Sequence, residues 1–248
     1  MLENWPRPLV IGHRGASAHA PENTFASFEL AIQNQADAIE FDVKLSADKH
    51  VVIIHDSSVD RTTNGVGKVA HMNLCALQEL DAGSKFAIKY AGEKIPTLDE
   101  VFERFGKRIL MNVELTNYST PFDDLVKKVV EQVIKHKVEN SVIFSSFLAK
   151  NLKLAQSLLP EVPCGLLAYS GWLGYFPRRF GWKKYFQALH PHISDIDQDL
   201  VHSVHNSGKR IHVWTVNGEN NIIRMLNLNV DGIFTDDPEM LRRVMEKS

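Results

Sequence analysis

Two histidines, an arginine and three carboxylates end apolar runs at recurring places along this chain. His13 and Arg14 close the run Leu9-Val10-Ile11-Gly12. Glu40 and Asp42 stand two apart in Ala38-Ile39-Glu40-Phe41-Asp42-Val43, so an extended strand turns both to one face. His55 closes a second extended run, and Glu114 ends Ile109-Leu110-Met111-Asn112-Val113. Either histidine alone reads as an ordinary core or loop residue, and the acid pair alone as a solvated edge strand. The recurrence at strand ends, in runs otherwise apolar, argues for a shared interior instead. Three inward carboxylates repel one another and hold protons unless a cation neutralises them. An all-oxygen set suits one hard divalent cation, Mg²⁺ or Ca²⁺, rather than zinc. Such a cation beside two histidines and an arginine fits cleavage of a phosphate ester. The cation and Arg14 hold non-bridging oxygens while His13 and His55 act as acid and base.

The elements that must position these groups alternate along the whole sequence. Spacing predicts strands at Leu9–His13 and Ala38–Leu45, the latter turning at 46–49 into a hairpin partner at 50–55. Residues 56–95 are rich in Gly, Asp, Thr and Asn, carry weak periodicity, and read as an inserted excursion of functional kind. Further strands are predicted at 109–114, 141–145, Cys164–Ala168, 192–196 (weakly), 210–216 and Gly232–Thr235. Helices are predicted at 24–34, Leu98–Phe105, 121–136, 149–159, 199–206, 219–226 and 238–246. Eight principal strands, each followed by helix or loop, predict an α/β protein, a (β/α)₈ TIM barrel filling residues 1–248 as one domain. An open doubly wound sheet would carry a glycine-rich phosphate loop after the first strand, and Gly12-His13-Arg14-Gly15-Ala16-Ser17 is not one. In a barrel the strand ends gather at one mouth.

Composition narrows the partners. With 28 basic and 30 acidic residues, the formal charge of −2 excludes a generic nucleic-acid binder. At 44% hydrophobic residues the chain is not disordered. Cys75 and Cys164 cannot build a disulfide framework or a zinc cluster. No signal-peptide pattern and no long apolar run is present, so the expectation is a cytoplasmic monomer or homodimer with a small-molecule phosphodiester substrate and no stable membrane insertion. Glu22 and Asn23 precede a helix and are either a first-turn pair or supports for the site. Trp214 shares parity with Val216 and is expected to wall the substrate pocket. Asp237-Pro238 reads as a helix start, and His190 and His192 as structural. The aromatic and basic stretch 172–186 reads as a loop and helix packed on the barrel with Arg and Lys lying along it; the competing reading is a membrane-interface patch.

Taken in order, the motifs carry a resemblance. They run from Gly12-His13-Arg14-Gly15 and Ala20-Pro21-Glu22-Asn23-Thr24 through Glu40-Phe41-Asp42-Val43, His55-Asp56 and Asp60-Arg61-Thr62-Thr63-Asn64-Gly65. Asp81-Ala82-Gly83-Ser84, Ile95-Pro96-Thr97-Leu98, Val113-Glu114-Leu115, Val213-Trp214-Thr215-Val216-Asn217 and Asp231-Gly232-Ile233-Phe234-Thr235-Asp236 follow. The set resembles the glycerophosphodiester phosphodiesterase family over nearly the whole chain. That resemblance implies a barrel with an inserted segment after the second strand, here 56–95, as a small cap over the active site. It implies metal ligands Glu40, Asp42 and Glu114, catalytic His13 and His55, phosphate contact through Arg14, and release of glycerol 3-phosphate and an alcohol. Many members carry Lys two residues after the third carboxylate, where this chain has Thr116. The alternative is a phospholipase D-like barrel acting on lysophospholipids or sphingolipids.

Overall fold

The computed structural model describes residues 2–247. Nine strands form one sheet: β1 (Leu9–His13), β2 (Ala38–Leu45), β3 (Val51–Ile53), β4 (Leu110–Leu115), β5 (Val142–Ser146), β6 (Cys164–Ala168), β7 (Ala188–Pro191), β8 (Arg210–Val213) and β9 (Gly232–Thr235). Eight of them run parallel in the order β1-β9-β8-β7-β6-β5-β4-β2, and pairing of β1 with β2 closes the barrel. β3 is an antiparallel hairpin strand on β2, with Val43 opposite Ile53. The helices are α1 (Phe25–Gln33), α2 (Leu74–Glu79), α3 (Leu98–Phe105), α4 (Leu125–His136), α5 (Ala149–Leu158), α6 (Gln198–His205), α7 (Glu219–Asn227) and α8 (Pro238–Lys247). α2 belongs to the insertion and the other seven flank the barrel. Among the described residues no helix is long and apolar enough to cross a membrane.

Strand parity sorts the side chains of β2. Ile39, Phe41, Val43 and Leu45 join the core between barrel and helices, where Phe41 meets Phe28 of α1 at 5.7 Å. Each such side chain contributes about 1.5–3 kcal/mol on burial. Glu40, Asp42 and Lys44 alternate with them and turn into the barrel, buried as well. The barrel's other end is filled by an apolar plug that includes Leu2, Trp5, Leu9, Ala38 and Ala188. Polarity therefore rises toward the C-terminal mouth.

Between plug and mouth lie two imidazoles. His190 of β7 and His212 of β8 stack with centroids 5.0 Å apart, and both are fully buried. Gly165 and Gly232 make room for them: a Cβ at Gly165 would come within 2.3 Å of His190 Nε2, and one at Gly232 within 2.7 Å of His212 Cδ2. None of their four ring nitrogens has a hydrogen-bond partner among the described residues. Burial pushes His190 down to about 3, and burial with neighbouring positive charge holds His212 well below the usual imidazole range. Below pH 6.5, where free imidazole takes up a proton, the unfolded chain therefore binds more protons than the folded one. Stability falls as pH drops from there toward 3. A His190→Leu variant should lose less than the wild type over that window, as read by urea unfolding at stepped pH. Parallel curves for the two proteins would assign the acid sensitivity elsewhere.

Several boundaries depart from the sequence expectation. The strand expected at 192–196 lies at Ala188–Pro191. Ile193–Asp195 is instead a 3-10 turn, whose Ser194 N–H donates to His192 Nδ1. β8 stops at Val213 rather than 216, so parity fails beyond it: Trp214 faces the mouth while Val216 packs into the outer core. α4 begins at Leu125 rather than 121, because Asp123 ties down the preceding turn through Asn117, Thr120 and the Leu125 N–H. Asp237 does start α8, accepting the Met240 N–H at 3.0 Å. The stretch 172–186 is only half packed. Trp182 and Phe186 are buried, whereas Trp172, Leu173, Tyr175, Phe176 and Phe180 are exposed.

Candidate active site

The turn after β1 sets the site. Arg14 (φ 57°) and Gly15 (φ 85°) both take the left-handed conformation, costly for an arginine and held by several contacts. The Arg14 N–H donates to Glu40 Oε2 at 2.9 Å, and its carbonyl accepts from Ser27 Oγ and the Asn23 N–H. A Cβ at position 15 would strike Ser27 at 2.5 Å, so glycine is required there. The turn folds the guanidinium back over the carboxylates, with Nε 3.3 Å from Asp42 Oδ2 and Nη1 2.9 Å from Glu22 Oε1. Burial opposes this charge, but Asp42, Glu22 and Glu40 hold Arg14 above the usual guanidinium range.

Glu40, Asp42 and Glu114 converge. Each offers a carboxylate oxygen, and the three oxygens lie within 4.8 Å of one another. Asn23 Nδ2 donates to Asp42 at 2.9 Å, and the Tyr118 hydroxyl donates to Glu114 at 2.8 Å. Glu40 Oε1 is buried with no partner among the described residues. Burial first, then repulsion from Asp42 and Glu114, raises Glu40 well above the carboxylate range. Burial and Asp42 push Glu114 up to about 8. An anionic cluster in this state is short of positive charge.

Each histidine is held by an aspartate. His13 Nδ1 lies 2.7 Å from Asp236 Oδ1, which also accepts from Ser17 Oγ at 3.0 Å. His55 Nδ1 lies 2.6 Å from Asp56 Oδ1. Burial works against both aspartates, but the hydrogen bonds from His13, Asn217 and Ser17 hold Asp236 at about 2, and those from Arg61 and His55 hold Asp56 at about 2. An ionised partner at Nδ1 fixes the proton there and leaves Nε2 to exchange protons. Arg61 bridges the two sides of the mouth, donating to Asp56 at 2.6 Å and to Glu22 at 2.7 and 2.8 Å. Glu22 and Asn23 are therefore supports of the site, and the N-cap of α1 is Thr24. One narrow pocket is lined by His13, Arg14, Glu40, His55, Glu114 and Trp214, with Phe147 and Phe234 among its apolar walls.

Residues 13–240 match the model of the glycerophosphoryl diester phosphodiesterase family. The chain belongs to that family. It is similar to a glycerophosphodiester phosphodiesterase of Caldanaerobacter subterraneus subsp. tengcongensis, 40% identical over 242 residues covering 97% of this chain and 99% of that one. A phosphodiesterase of Oleispira antarctica, solved in complex with the product sn-glycerol-3-phosphate, superposes with a TM-score of 0.86 at 33% identity, covering 97% of each chain. A glycerophosphodiester phosphodiesterase from Agrobacterium tumefaciens gives 0.81 at 29% identity, over 95% of this chain and 99% of that one. The barrel is the fold these relatives share, and the protein is a phosphodiester hydrolase of this family.

Thr116, where many members of this family carry Lys, is buried and faces a lysine of β2. Its hydroxyl donates to Val43 O at 2.8 Å and accepts from Lys44 Nζ at 3.0 Å, and Lys44 also donates to Thr116 O at 2.6 Å. Burial pushes the Lys44 ammonium down, while Asp42 and Glu114 pull it up. Position 116 thus shares its corner of the mouth with a cation carried by β2. Sequence reasoning missed Lys44, although its parity with Glu40 and Asp42 was readable. It also missed Asp56, Asp236, Arg61 and Tyr118 as partners. Asp56, Arg61 and Asp236 stand within the quoted motifs, but nothing in the spacing says which charges meet.

Proposed function

We propose that this enzyme hydrolyses glycerophosphodiesters to glycerol 3-phosphate and an alcohol, with His13 and His55 as the acid–base pair. Glu40, Asp42 and Glu114 hold one divalent cation, Mg²⁺ or Ca²⁺. The fit rests on three converging carboxylate oxygens, the unpartnered Glu40 Oε1, and the protons that Glu40 and Glu114 retain in the cation's absence. When bound, a cation there supplies neutralising charge to the cluster and polarises the oxygens of the substrate. The chain's own residues do the remainder. Arg14 spans the mouth with donors beyond those spent on Glu22 and Asp42, and grips phosphate oxygens. His13 Nε2 and His55 Nε2 serve the scissile bond, one taking a proton and the other giving one, while Asp236 and Asp56 fix their tautomers. Trp214, tied through Nε1 to His190 O at 2.8 Å, walls the glycerol side. Residues 56–95 act as a small cap on the barrel domain, a reading supported by Arg61 on Glu22 and the Tyr90 hydroxyl on His19 O.

The observation that carries this reading is the meeting of both histidines, Arg14, Glu40 and Glu114 in one pocket. A coupled glycerol 3-phosphate assay over a panel of head groups, with and without chelator, tests it. Glycerophosphocholine or glycerophosphoethanolamine should yield glycerol 3-phosphate only with cation present. Absence of that product from every diester in the panel would sink the reading.

A further inference from the structure

We propose that the barrel mouth docks on a phospholipid surface through an apolar rim built by the loops after β4 and β6. Trp172 is 85% exposed and Phe176 68%, with Leu173 and Tyr175 beside them, and Phe122 after β4 is 93% exposed. Every large apolar side chain among the described residues that is more than half exposed lies in the insertion or in these two loops. The insertion contacts the loop after β1 through Arg61–Glu22 and Tyr90–His19, and the loops after β4 and β6 leave the C-terminal ends of barrel strands on the same side. Exposed apolar clusters of this kind mark interaction surfaces.

The loop after β6 is not a slack segment that happens to face water. Arg178 is buried beneath it, with Nη1 3.2 Å from Asp195 Oδ2 and 3.3 Å from Tyr169 O, and Nη2 3.3 Å from Gly171 O. The Gly171 N–H donates to the same aspartate oxygen at 2.7 Å. Buried Trp182 donates to Arg178 O at 2.8 Å. Gly174 packs so closely on the Tyr169 carbonyl that a Cβ would come within 1.6 Å of it. This scaffold holds Trp172 and Phe176 outward instead of letting them fold in. Aromatic contact then continues inward: Tyr169 stacks on Phe147 at 3.9 Å, and Phe147 meets Trp214 edge-on at 5.5 Å in the pocket wall.

Position and chemistry select the occupant. The rim flanks the mouth that a phosphodiester substrate enters, and a phospholipid surface carries phosphodiesters of the same class; this step rests on the proposed function, whereas the docking itself does not. Trp and Tyr rings settle at the headgroup boundary of bilayers. No Asp or Glu lies between Glu161 and Asp195, so the loop after β6 carries nothing to repel lipid phosphates. Lys150, its ammonium 4.0 Å from the Phe122 ring centroid, adds a cation beside the apolar tip, as lysines at lipid interfaces do.

The test is sedimentation with vesicles of phosphatidylcholine and phosphatidylglycerol, together with tryptophan emission. Wild-type protein should pellet with the vesicles and its emission should shift to the blue as Trp172 leaves water. A Trp172→Ser, Phe176→Ser double variant should bind about tenfold or more weakly. Its kcat/KM on soluble glycerophosphocholine should equal the wild type's, since neither residue lines the pocket, and that equality also reports intact folding. No binding by the wild type, or equal binding by the variant, would overturn the proposal. So would a dimer in light scattering that the double variant converts to monomer, because the rim would then belong to a second copy. Vesicle binding without hydrolysis of any glycerophosphodiester would instead remove the functional reading and leave the docking intact.

Discussion

Replacing His13 or His55 with alanine is expected to lower kcat on glycerophosphocholine by about 10²–10⁴-fold, the scale of lost general acid–base catalysis. Both imidazoles line the pocket, and each is turned by an aspartate whose charge is secured elsewhere: Asp236 by Ser17 and Asn217, Asp56 by Arg61. Neither ring is fully buried, so alanine leaves little cavity, and the melting temperature should move by only a few degrees. Asp236→Asn separates orientation from chemistry. An amide oxygen still accepts from His13 Nδ1 and keeps the ring oriented, so kcat should fall by less than in His13→Ala. Near-wild-type turnover in either alanine variant would remove that histidine from the mechanism. An Asp236→Asn loss as deep as that of His13→Ala would mean the aspartate does more than orient.

Much of this architecture was legible because barrel strands obey simple parity. β2 shows why: outward Ile39, Phe41, Val43 and Leu45 meet helices while inward Glu40 and Asp42 meet the site, so period two separated core from chemistry. Parity failed where strands were short. In Ala188–Pro191 a histidine faces the lumen and a proline ends the run, so the segment lacks the apolar signature that Ile193 and Ile196 mimic four residues later. Trp214 keeps the parity of lumen-facing His212 and lines the pocket, whereas Val216, which strict alternation would place on the same face, joins the outer core because β8 ends at Val213. Charge pairing was the least legible level. Asp236 and His13 stand 223 residues apart and Arg61 and Glu22 stand 39 apart, and only closure of the barrel and docking of the insertion bring them together. The exposed face of 172–186 was one of two readings the sequence left open. A run of aromatics signals burial equally well, and the buried Arg178 that props the loop outward looks in sequence like any surface arginine.

Removal of divalent cation is expected to abolish turnover, by about 10³-fold or more, and to invert the pH dependence of stability around the carboxylate cluster. Without cation, Glu114 keeps its proton to about pH 8 in the folded protein but releases it near 4.5 when unfolded, and Glu40 behaves in the same direction. Between those values the folded state binds more protons than the unfolded state, so stability falls as pH rises through the window. A cation binds the deprotonated carboxylates and competes with those protons, so its stabilising effect should grow over the same range. Melting temperatures of chelator-treated protein, measured from pH 5 to 8.5 with and without Mg²⁺ or Ca²⁺, should therefore diverge toward high pH. Glu114→Gln is the control that ties the effect to the site. Its amide oxygen still accepts the Tyr118 hydroxyl, but it carries no titrating charge and is a poorer ligand. The variant should show a shallower decline in chelator, a smaller gain from cation, and little activity. Full turnover in excess chelator, or melting curves indifferent to both cations at pH 8.5, would dismiss the metal centre. Activity loss in Glu114→Gln with an unchanged cation-induced gain would place the cation on other residues.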